Sequence, residues 1–178
     1  MRASYSHPEN FPEGAVNPVS PVRTVGDPSM ATTDRQETNV DVVRRIAAAV
    51  STGDLDGLDD LLTEDYVEHN PTFPADRRGP DAIRAFVGPY RAAFPDLEIL
   101  EEDVITAGDR VVFRHRVVGT HENEFRGIPS TDERIDVEGI AIYRLEDDRA
   151  AEKWLVFDAL GLLRQLGAAP EPSAAGDA

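Results

Sequence analysis

The chain has no cysteine and a single lysine, Lys153, among its 178 residues. The absence of thiols excludes disulfide bonds, a cysteine nucleophile and cysteine-ligated zinc. No apolar run approaches the roughly 20 residues that a membrane-spanning helix needs. The first residues also lack the apolar segment of a secretory signal. We therefore expect a cytoplasmic protein that does not enter membranes.

Positive charge is scarce as well. The chain has 34 acidic residues and 18 basic ones, which gives a formal net charge of −16. Such a surface repels nucleic acids and anionic membranes, so neither is an expected partner. An acidic, lysine-poor surface suits concentrated salt, where charge repulsion is screened. The composition therefore predicts a halophilic protein that loses stability at low salt.

Patterns that hold metals or phosphates are missing too. The chain has 4 histidines, and none of them forms a His-x-x-x-His pair on one element. Glycine-rich phosphate loops and serine-nucleophile elbows are also absent. We therefore expect neither a metal nor a cofactor.

The chain divides into one domain and two tails. Residues 1–35 carry scattered proline, serine and glycine without an apolar period, which predicts disorder. Met30 looks like an alternative start. Residues 36–167 form the predicted domain, and residues 168–178 form a second disordered tail.

Apolar spacing within the domain predicts helices first and strands afterwards. A first helix includes residues 40–50 with Thr38 or Asn39 as its cap, a short one lies near residues 55–62, and a third spans residues 80–94. Strands are expected at residues 97–107, 110–120, 133–145 and 149–158, before a short last helix. This order predicts an α+β fold with the helices on one face of a mostly antiparallel sheet.

Several ordered segments resemble one known family, the SnoaL-like polyketide cyclases or ester cyclases. They are Tyr66-Val67-Glu68-His69-Asn70-Pro71, Phe94-Pro95-Asp96-Leu97, Gly119-Thr120-His121, Gly127-Ile128-Pro129, Gly139-Ile140-Ala141-Ile142-Tyr143-Arg144 and Trp154-x-x-x-Asp158 with Leu160-Gly161-Leu162-Leu163-Arg164-Gln165-Leu166-Gly167. The resemblance covers residues 38 to 167. It implies a cone-shaped α+β barrel, shared with nuclear transport factor and cystatin-like proteins, that encloses one pocket.

Asp158 is the first candidate catalytic residue. It follows Trp154 and Val156 at a period of two, so all three share one strand face. A buried carboxylate there would be poised for proton transfer. The resemblance implies the same role, because Asp158 best matches the family's acid/base aspartate. The alternative is that Asp158 only caps the following helix, a role that aspartate favours.

Three further residues are candidates on local grounds. His69 could position or exchange a proton, and Asn70 could donate to a developing enolate oxygen. Both could instead bond backbone groups in the turn before Pro71, which we favour for Asn70. Trp154 could form an apolar wall for a substrate ring, or could simply pack in the core.

Residues on the central strand and the third helix complete the candidate set. Arg114 or Arg116 could hold Asp158 or Glu138 ionised or bind a substrate oxygen, whereas a salt bridge on the outer sheet face is the alternative. His115 is expected to pack in the pocket or at an interface. Phe86 and Tyr90, on the apolar face of the third helix, are expected to bind substrate.

The resemblance implies a cofactor-independent enzyme for acid/base chemistry, namely cyclisation, isomerisation or hydration, on a small apolar carbonyl compound. The alternative is a non-catalytic protein of the same fold that binds a small hydrophobic ligand. Epoxide hydrolysis is a third option, but the residue types depart from its pattern. Because one sheet face is left without helices, we expect a homodimer or a higher oligomer.

Overall fold

The computed structural model describes residues 30–72 and 76–170. The elements in chain order are α1 Met30–Thr52, a 3₁₀ helix Asp56–Asp60, β1 Leu62–His69, β2 Arg77–Arg78, α2 Asp81–Ala93, β3 Glu98–Ala107, β4 Arg110–Thr120, β5 Arg134–Glu146, β6 Arg149–Phe157 and α3 Ala159–Gln165. Most of the N-terminal segment predicted to be disordered, and the tail beyond residue 170, lie outside the described residues.

The six strands form one open sheet in the order β2-β1-β6-β5-β4-β3. Every neighbouring pair is antiparallel except β1 and β6, which are parallel. The hairpins β3–β4 and β5–β6 turn at the predicted places. Gly108, Asp147 and Asp148 adopt positive φ angles of 62°, 47° and 58° there, as tight hairpin turns require. The sheet curves over the helices without closing.

The alternation along β5 separates the two faces of the sheet. Ile135, Val137, Ala141 and Tyr143 are buried, while residues between them, such as Asp136 and Ile140, are exposed. The buried residues belong to one core cluster with the apolar sides of α1 and α2. We call the helix-covered side the inner face and the opposite side the outer face. The predicted α+β cone architecture is confirmed.

Three local predictions differ from the structure. Helix α1 begins at Met30, so Thr38 lies inside it, where its hydroxyl donates to the Asp34 carbonyl at 2.9 Å. The predicted cap at Thr38 or Asn39 is therefore wrong. The second helix is only a 3₁₀ turn, because Leu62 already starts β1, a strand that the sequence prediction lacked over most of its length.

The outer face combines apolar and charged rows. Trp154, Ile142, Val112 and Ile105 stand opposite one another across β6, β5, β4 and β3 and form an apolar row. The next row runs Val156, Ile140, Arg114, Asp103 in the same strand order. Ile105, Ile140 and Val156 are 58%, 48% and 65% exposed. The outer face is therefore only partly apolar, and a second copy of the chain remains our proposal for what covers it.

Candidate functional site

The inner face and the helices enclose a cavity of about 80 Å³. Its walls are apolar side chains from α1, α2 and strands β3 to β6, together with Leu162 of α3. Only four lining side chains carry a nitrogen or oxygen atom, namely Tyr90, His115, Tyr143 and Lys153. An enclosed apolar space with few polar groups is the usual form of a small-molecule site.

Aromatic rings from α2 and β6 form one wall of this cavity. The Phe86 ring centroid lies 5.0 Å from that of Tyr90 and 6.2 Å from that of Phe157, and Tyr90 meets Phe157 edge-on at 6.1 Å. Phe86 and Phe157 are half-buried, so this wall is partly accessible to solvent. Phe86 and Tyr90 both line the cavity, and their binding of a substrate stays a prediction.

The segment after β4 packs on the same wall. Phe125 is buried, and its ring centroid lies 4.8 Å from that of Tyr90. The guanidinium of Arg126 stands 5.8 Å from the Tyr90 ring centroid. His121 fixes this segment, because its Nδ1 accepts from the Thr131 backbone N–H at 3.2 Å.

His115 brings an imidazole into the cavity. It is 6% exposed, and its Nδ1 lies 3.3 Å from the Phe113 carbonyl oxygen. A carbonyl only accepts, so Nδ1 carries the proton and Nε2 keeps a free lone pair. A Cβ on Gly139 would stand 2.8 Å from Nε2, so only glycine leaves room for this ring. Burial, with a smaller contribution from the charge of Lys153, lowers the pKa of His115 below its usual 6.5.

Lys153 and Glu68 form a buried ion pair beside this imidazole. Lys153 Nζ lies 3.2 Å from Glu68 Oε1, and the two side chains are 9% and 0% exposed. The Tyr66 hydroxyl donates to Glu68 Oε2 at 3.3 Å. The pair exists because the parallel register of β1 and β6 sets Glu68 opposite Lys153. Both oxygens of the carboxylate are therefore engaged.

Lys153 remains an ammonium in this setting. Burial alone lowers its pKa, but the opposing charge and hydrogen bond of Glu68 outweigh burial and raise the pKa above its usual value. Burial likewise raises the pKa of Tyr66 and of Tyr143, so both phenols stay neutral. The pocket therefore presents a neutral imidazole and a cationic ammonium at neutral pH.

Asp158 does not line the cavity, so its predicted pocket position is wrong. Its carboxylate is exposed and accepts from the Gly161 backbone N–H at 2.7 Å, which caps α3. The inner face of β6 carries Lys153, Leu155 and Phe157, one residue out of step with Asp158. The structure therefore agrees with the alternative, in which Asp158 caps α3.

His69 and Trp154 lie together on the outer face and not in the cavity. Their rings stack with centroids 5.2 Å apart, and Arg110 lies over the Trp154 ring at 5.1 Å. His69 bonds Glu152 through Nε2 and Asp76 through Nδ1, each at 2.9 Å. The prediction that Trp154 forms a wall for a substrate ring is therefore wrong. The predicted catalytic position of His69 at the pocket is wrong for the same reason.

Asn70 and Arg114 also lie away from the cavity lining. Asn70 Oδ1 accepts from the Thr72 backbone N–H at 3.0 Å. This is the alternative role for Asn70, in which it bonds a backbone group in the turn. Arg114 points from the outer face to Glu102 at 3.5 Å. Arg116 bonds Asp136 through Nε at 2.7 Å, again on the outer face. The predicted substrate contacts of Asn70 and Arg114 are not what the structure shows.

Sequence reasoning missed Lys153 and Glu68. One signal was available, since Lys153 is the only lysine and has the same strand parity as Leu155 and Phe157. A lone cation on an apolar strand face needs a buried partner. Nothing in the sequence pointed to Glu68 as that partner, because it lies 85 residues away.

Within residues 30–72 and 76–170, no helix is both long and apolar enough to cross a membrane. Across those same residues, no three histidine or carboxylate side chains gather as metal ligands would.

Comparison with known proteins gives a consistent result. Residues 40–166 match the family model described as SnoaL-like polyketide cyclase. The chain is 32% identical over 136 residues to the aklanonic acid methyl ester cyclase of Streptomyces peucetius, covering 73% of this chain and 91% of that protein. It is 31% identical over 123 residues to the nogalonic acid methyl ester cyclase of Streptomyces nogalater, covering 68% and 92%. The solved structure of TsrD from Streptomyces laurentii superposes with a TM-score of 0.67 at 32% identity, covering 75% and 98%.

Proposed function

The chain belongs to the SnoaL-like polyketide cyclase family, and we propose that it closes a ring in an apolar carbonyl compound by acid–base catalysis in the inner cavity. We retain the acid/base chemistry that the resemblance implies, but we assign the role of base to His115 instead of Asp158. The observation that carries it is the buried imidazole of His115, whose unprotonated Nε2 has no hydrogen-bond partner among the described residues. A neutral imidazole in an apolar site is suited to proton transfer.

The reaction follows from that arrangement. Nε2 of His115 removes a proton from the carbon next to a carbonyl group, and the electron pair moves to the carbonyl oxygen as an enolate. The enolate carbon then bonds to a second carbonyl carbon of the same molecule. The imidazolium returns its proton to the alkoxide formed there. No atom is gained or lost, so the product is an isomer of the substrate.

The relatives suggest which compounds to test first. Two of them are named for aklanonic acid methyl ester and nogalonic acid methyl ester. Ligand cavities for molecules of drug size usually span about 300–1,000 Å³, well above the 80 Å³ found here. A multi-ring substrate would therefore need Phe86 and Phe157 to move, and both are half-buried.

The experiment supplies each ester to the purified protein in high-salt D₂O buffer. Mass spectrometry and NMR should find a cyclised product of the substrate's composition, with a new bond from the α-carbon to the second carbonyl carbon and a hydroxyl group where that carbonyl stood. His115→Gln should lower the rate about a hundredfold or more. The matched control, His69→Gln, changes an outer-face histidine and should keep the rate within about twofold.

The pH profile gives a further test of His115. Since its pKa lies below 6.5, kcat should rise as the pH is raised through that lower value and should stay level through neutrality. A rate that falls over the same interval would remove His115 from the role of base.

The second candidate is a non-catalytic carrier of a small hydrophobic ligand. The small volume of the cavity and the lack of a carboxylate among its lining residues favour it. Wild-type protein that binds the esters but forms no product and exchanges no α-proton would support the carrier function.

A further inference from the structure

The only lysine of the chain lies in the wall of the apolar cavity between the helices and the inner face. Building on the proposed function, we propose that the Lys153 ammonium binds the substrate's carbonyl oxygen and stabilises the enolate oxygen that forms from it. Glu68 would act as a positioning residue that holds the ammonium in place. The substrate class is then an apolar, enolisable ketone or ester that presents one oxygen to β6.

The hydrogen-bond inventory of Lys153 supports this assignment. An ammonium has three N–H donors, and one of them bonds Glu68 Oε1 at 3.2 Å. Within residues 30–72 and 76–170, Nζ has no second hydrogen-bond acceptor. Its other close neighbours are the rings of Phe86 and Tyr143, whose centroids lie 6.0 Å and 5.8 Å away. Two donors at the cavity wall are therefore available to a ligand oxygen.

A purely structural role accounts poorly for this pair. Well-packed apolar side chains often replace a buried ion pair without loss of stability. Unused donors in a buried site cost free energy unless a ligand or water meets them. Lys153 lines the cavity, whereas Glu68 is fully buried behind it and bonds Tyr66 as well. This asymmetry is expected if the cation faces the ligand and the carboxylate holds it.

The chemistry of the cavity is complementary to an enolate. When His115 removes the α-proton, negative charge moves onto the carbonyl oxygen two bonds away. A fixed ammonium in a water-poor site stabilises that charge more strongly than it binds the neutral carbonyl. Because Glu68 balances the ammonium, the cavity is not positive before the reaction. It should therefore favour an oxyanion only where that oxygen can reach Nζ.

A competing role for Lys153 is attack on the carbonyl carbon to form an iminium. That step needs a neutral amine and releases water. Glu68 keeps Lys153 protonated, so the structure favours the hydrogen-bonding role. The two roles differ in whether a covalent bond to Nζ forms, which can be measured directly.

The single lysine makes the binding test site-specific. Protein labelled with ¹⁵N-lysine gives one side-chain NMR signal, from Lys153 Nζ. We would titrate it at high salt with benzoate, acetophenone and toluene, three small aromatic probes that carry an oxyanion, a carbonyl oxygen and no oxygen. Benzoate should bind about tenfold or more tightly than toluene, with acetophenone between them, and the Nζ signal should shift with both oxygen-bearing probes.

Two variants separate binding from folding. Lys153→Met leaves the buried Glu68 without its cationic partner, which would destabilise the fold itself. The double variant Glu68→Gln, Lys153→Met removes both charges and keeps an acceptor for Tyr66. Measured by the shifts of backbone amides in the cavity wall, benzoate and toluene should bind the double variant within about twofold of each other. Its affinity for toluene should stay near that of the wild type.

Equal binding of benzoate and toluene to the wild type would overturn the proposal, as would an unchanged preference in the double variant. No binding of any probe up to its solubility limit would also overturn it. A borohydride-trapped acetophenone adduct located on Lys153 would replace hydrogen bonding with covalent chemistry. If the wild type prefers benzoate but cyclises neither ester, this inference stands and the proposed function fails. If the double variant cyclises an ester at the wild-type rate, this inference alone fails.

Discussion

Breaking the buried pair at Glu68 should destabilise the protein far more than breaking a surface pair. Glu68→Ala leaves the Lys153 ammonium, whose side chain is 9% exposed, without its only carboxylate. Loss of one partner of a buried ion pair costs about 3–5 kcal/mol. For a domain of this size each kcal/mol lowers Tm by about 2–8 °C. We therefore expect a fall of about 6 °C or more in thermal unfolding at high salt.

Two controls make this prediction specific. Arg44→Ala removes a surface pair with Glu101 at 2.7 Å, whose side chains are 52% and 35% exposed, and should cost about 0–1 kcal/mol. Glu68→Leu combined with Lys153→Met removes both buried charges and should cost much less than Glu68→Ala. The reasoning would be refuted if Glu68→Ala cost no more than Arg44→Ala, or if the double variant were as unstable as the single one.

Three further outcomes follow from the structure. Asp158→Ala removes the cap of α3 and should lower the free energy of unfolding by about 1 kcal/mol, whereas Asp158→Ser should retain most of it; equal losses in chemical denaturation would argue against the capping role. For His69, burial lowers the pKa, but hydrogen bonds to Glu152 and Asp76 outweigh it and raise the pKa above 6.5. The stabilisation is therefore complete below pH 6.5 and is lost as pH rises through the raised pKa, so the stability gap between wild type and His69→Gln should shrink from pH 5.5 to pH 9; a widening gap would reverse the sign. Ile140, 48% exposed in the middle of the outer face, should lie between two copies of the chain, so light scattering should show a dimer for the wild type and a monomer for Ile140→Glu; a wild-type monomer of 19.5 kDa would contradict this.

The fold was predictable because its signals are local. Strands β3 to β6 alternate with a period of two, and their hairpin turns are marked by Gly108-Asp109 and Asp147-Asp148. Helix α2 has a strong apolar face and a proline soon after its end. Each of these features depends on residues close together in the chain, so a single sequence is enough to find them.

The site was less predictable, because β6 is apolar on both faces. Trp154 and Val156 made one face look like the core, yet Trp154 is held outside by stacking on His69 and by Arg110. Lys153 was not among the predicted site residues, because its partner Glu68 is supplied by the parallel pairing of β1 with β6. That pairing joins distant segments, and no local pattern reveals it. The prediction took the face of β6 that carries Trp154 for the inner face. It therefore placed Asp158 in the pocket and left Lys153 outside it.

The central claim is that the inner cavity with His115, and not the α3 cap at Asp158, carries the chemistry. Its most direct test compares the rates at which wild type, His115→Gln and Asp158→Asn incorporate solvent deuterium into the α-position of aklanonic acid methyl ester and of nogalonic acid methyl ester at high salt. We expect exchange by the wild type on at least one ester, about a hundredfold or greater loss in His115→Gln, and a rate within about twofold of wild type in Asp158→Asn. Loss of exchange in Asp158→Asn with His115→Gln still active, or neither exchange nor ring closure by the wild type on either ester, would contradict the claim.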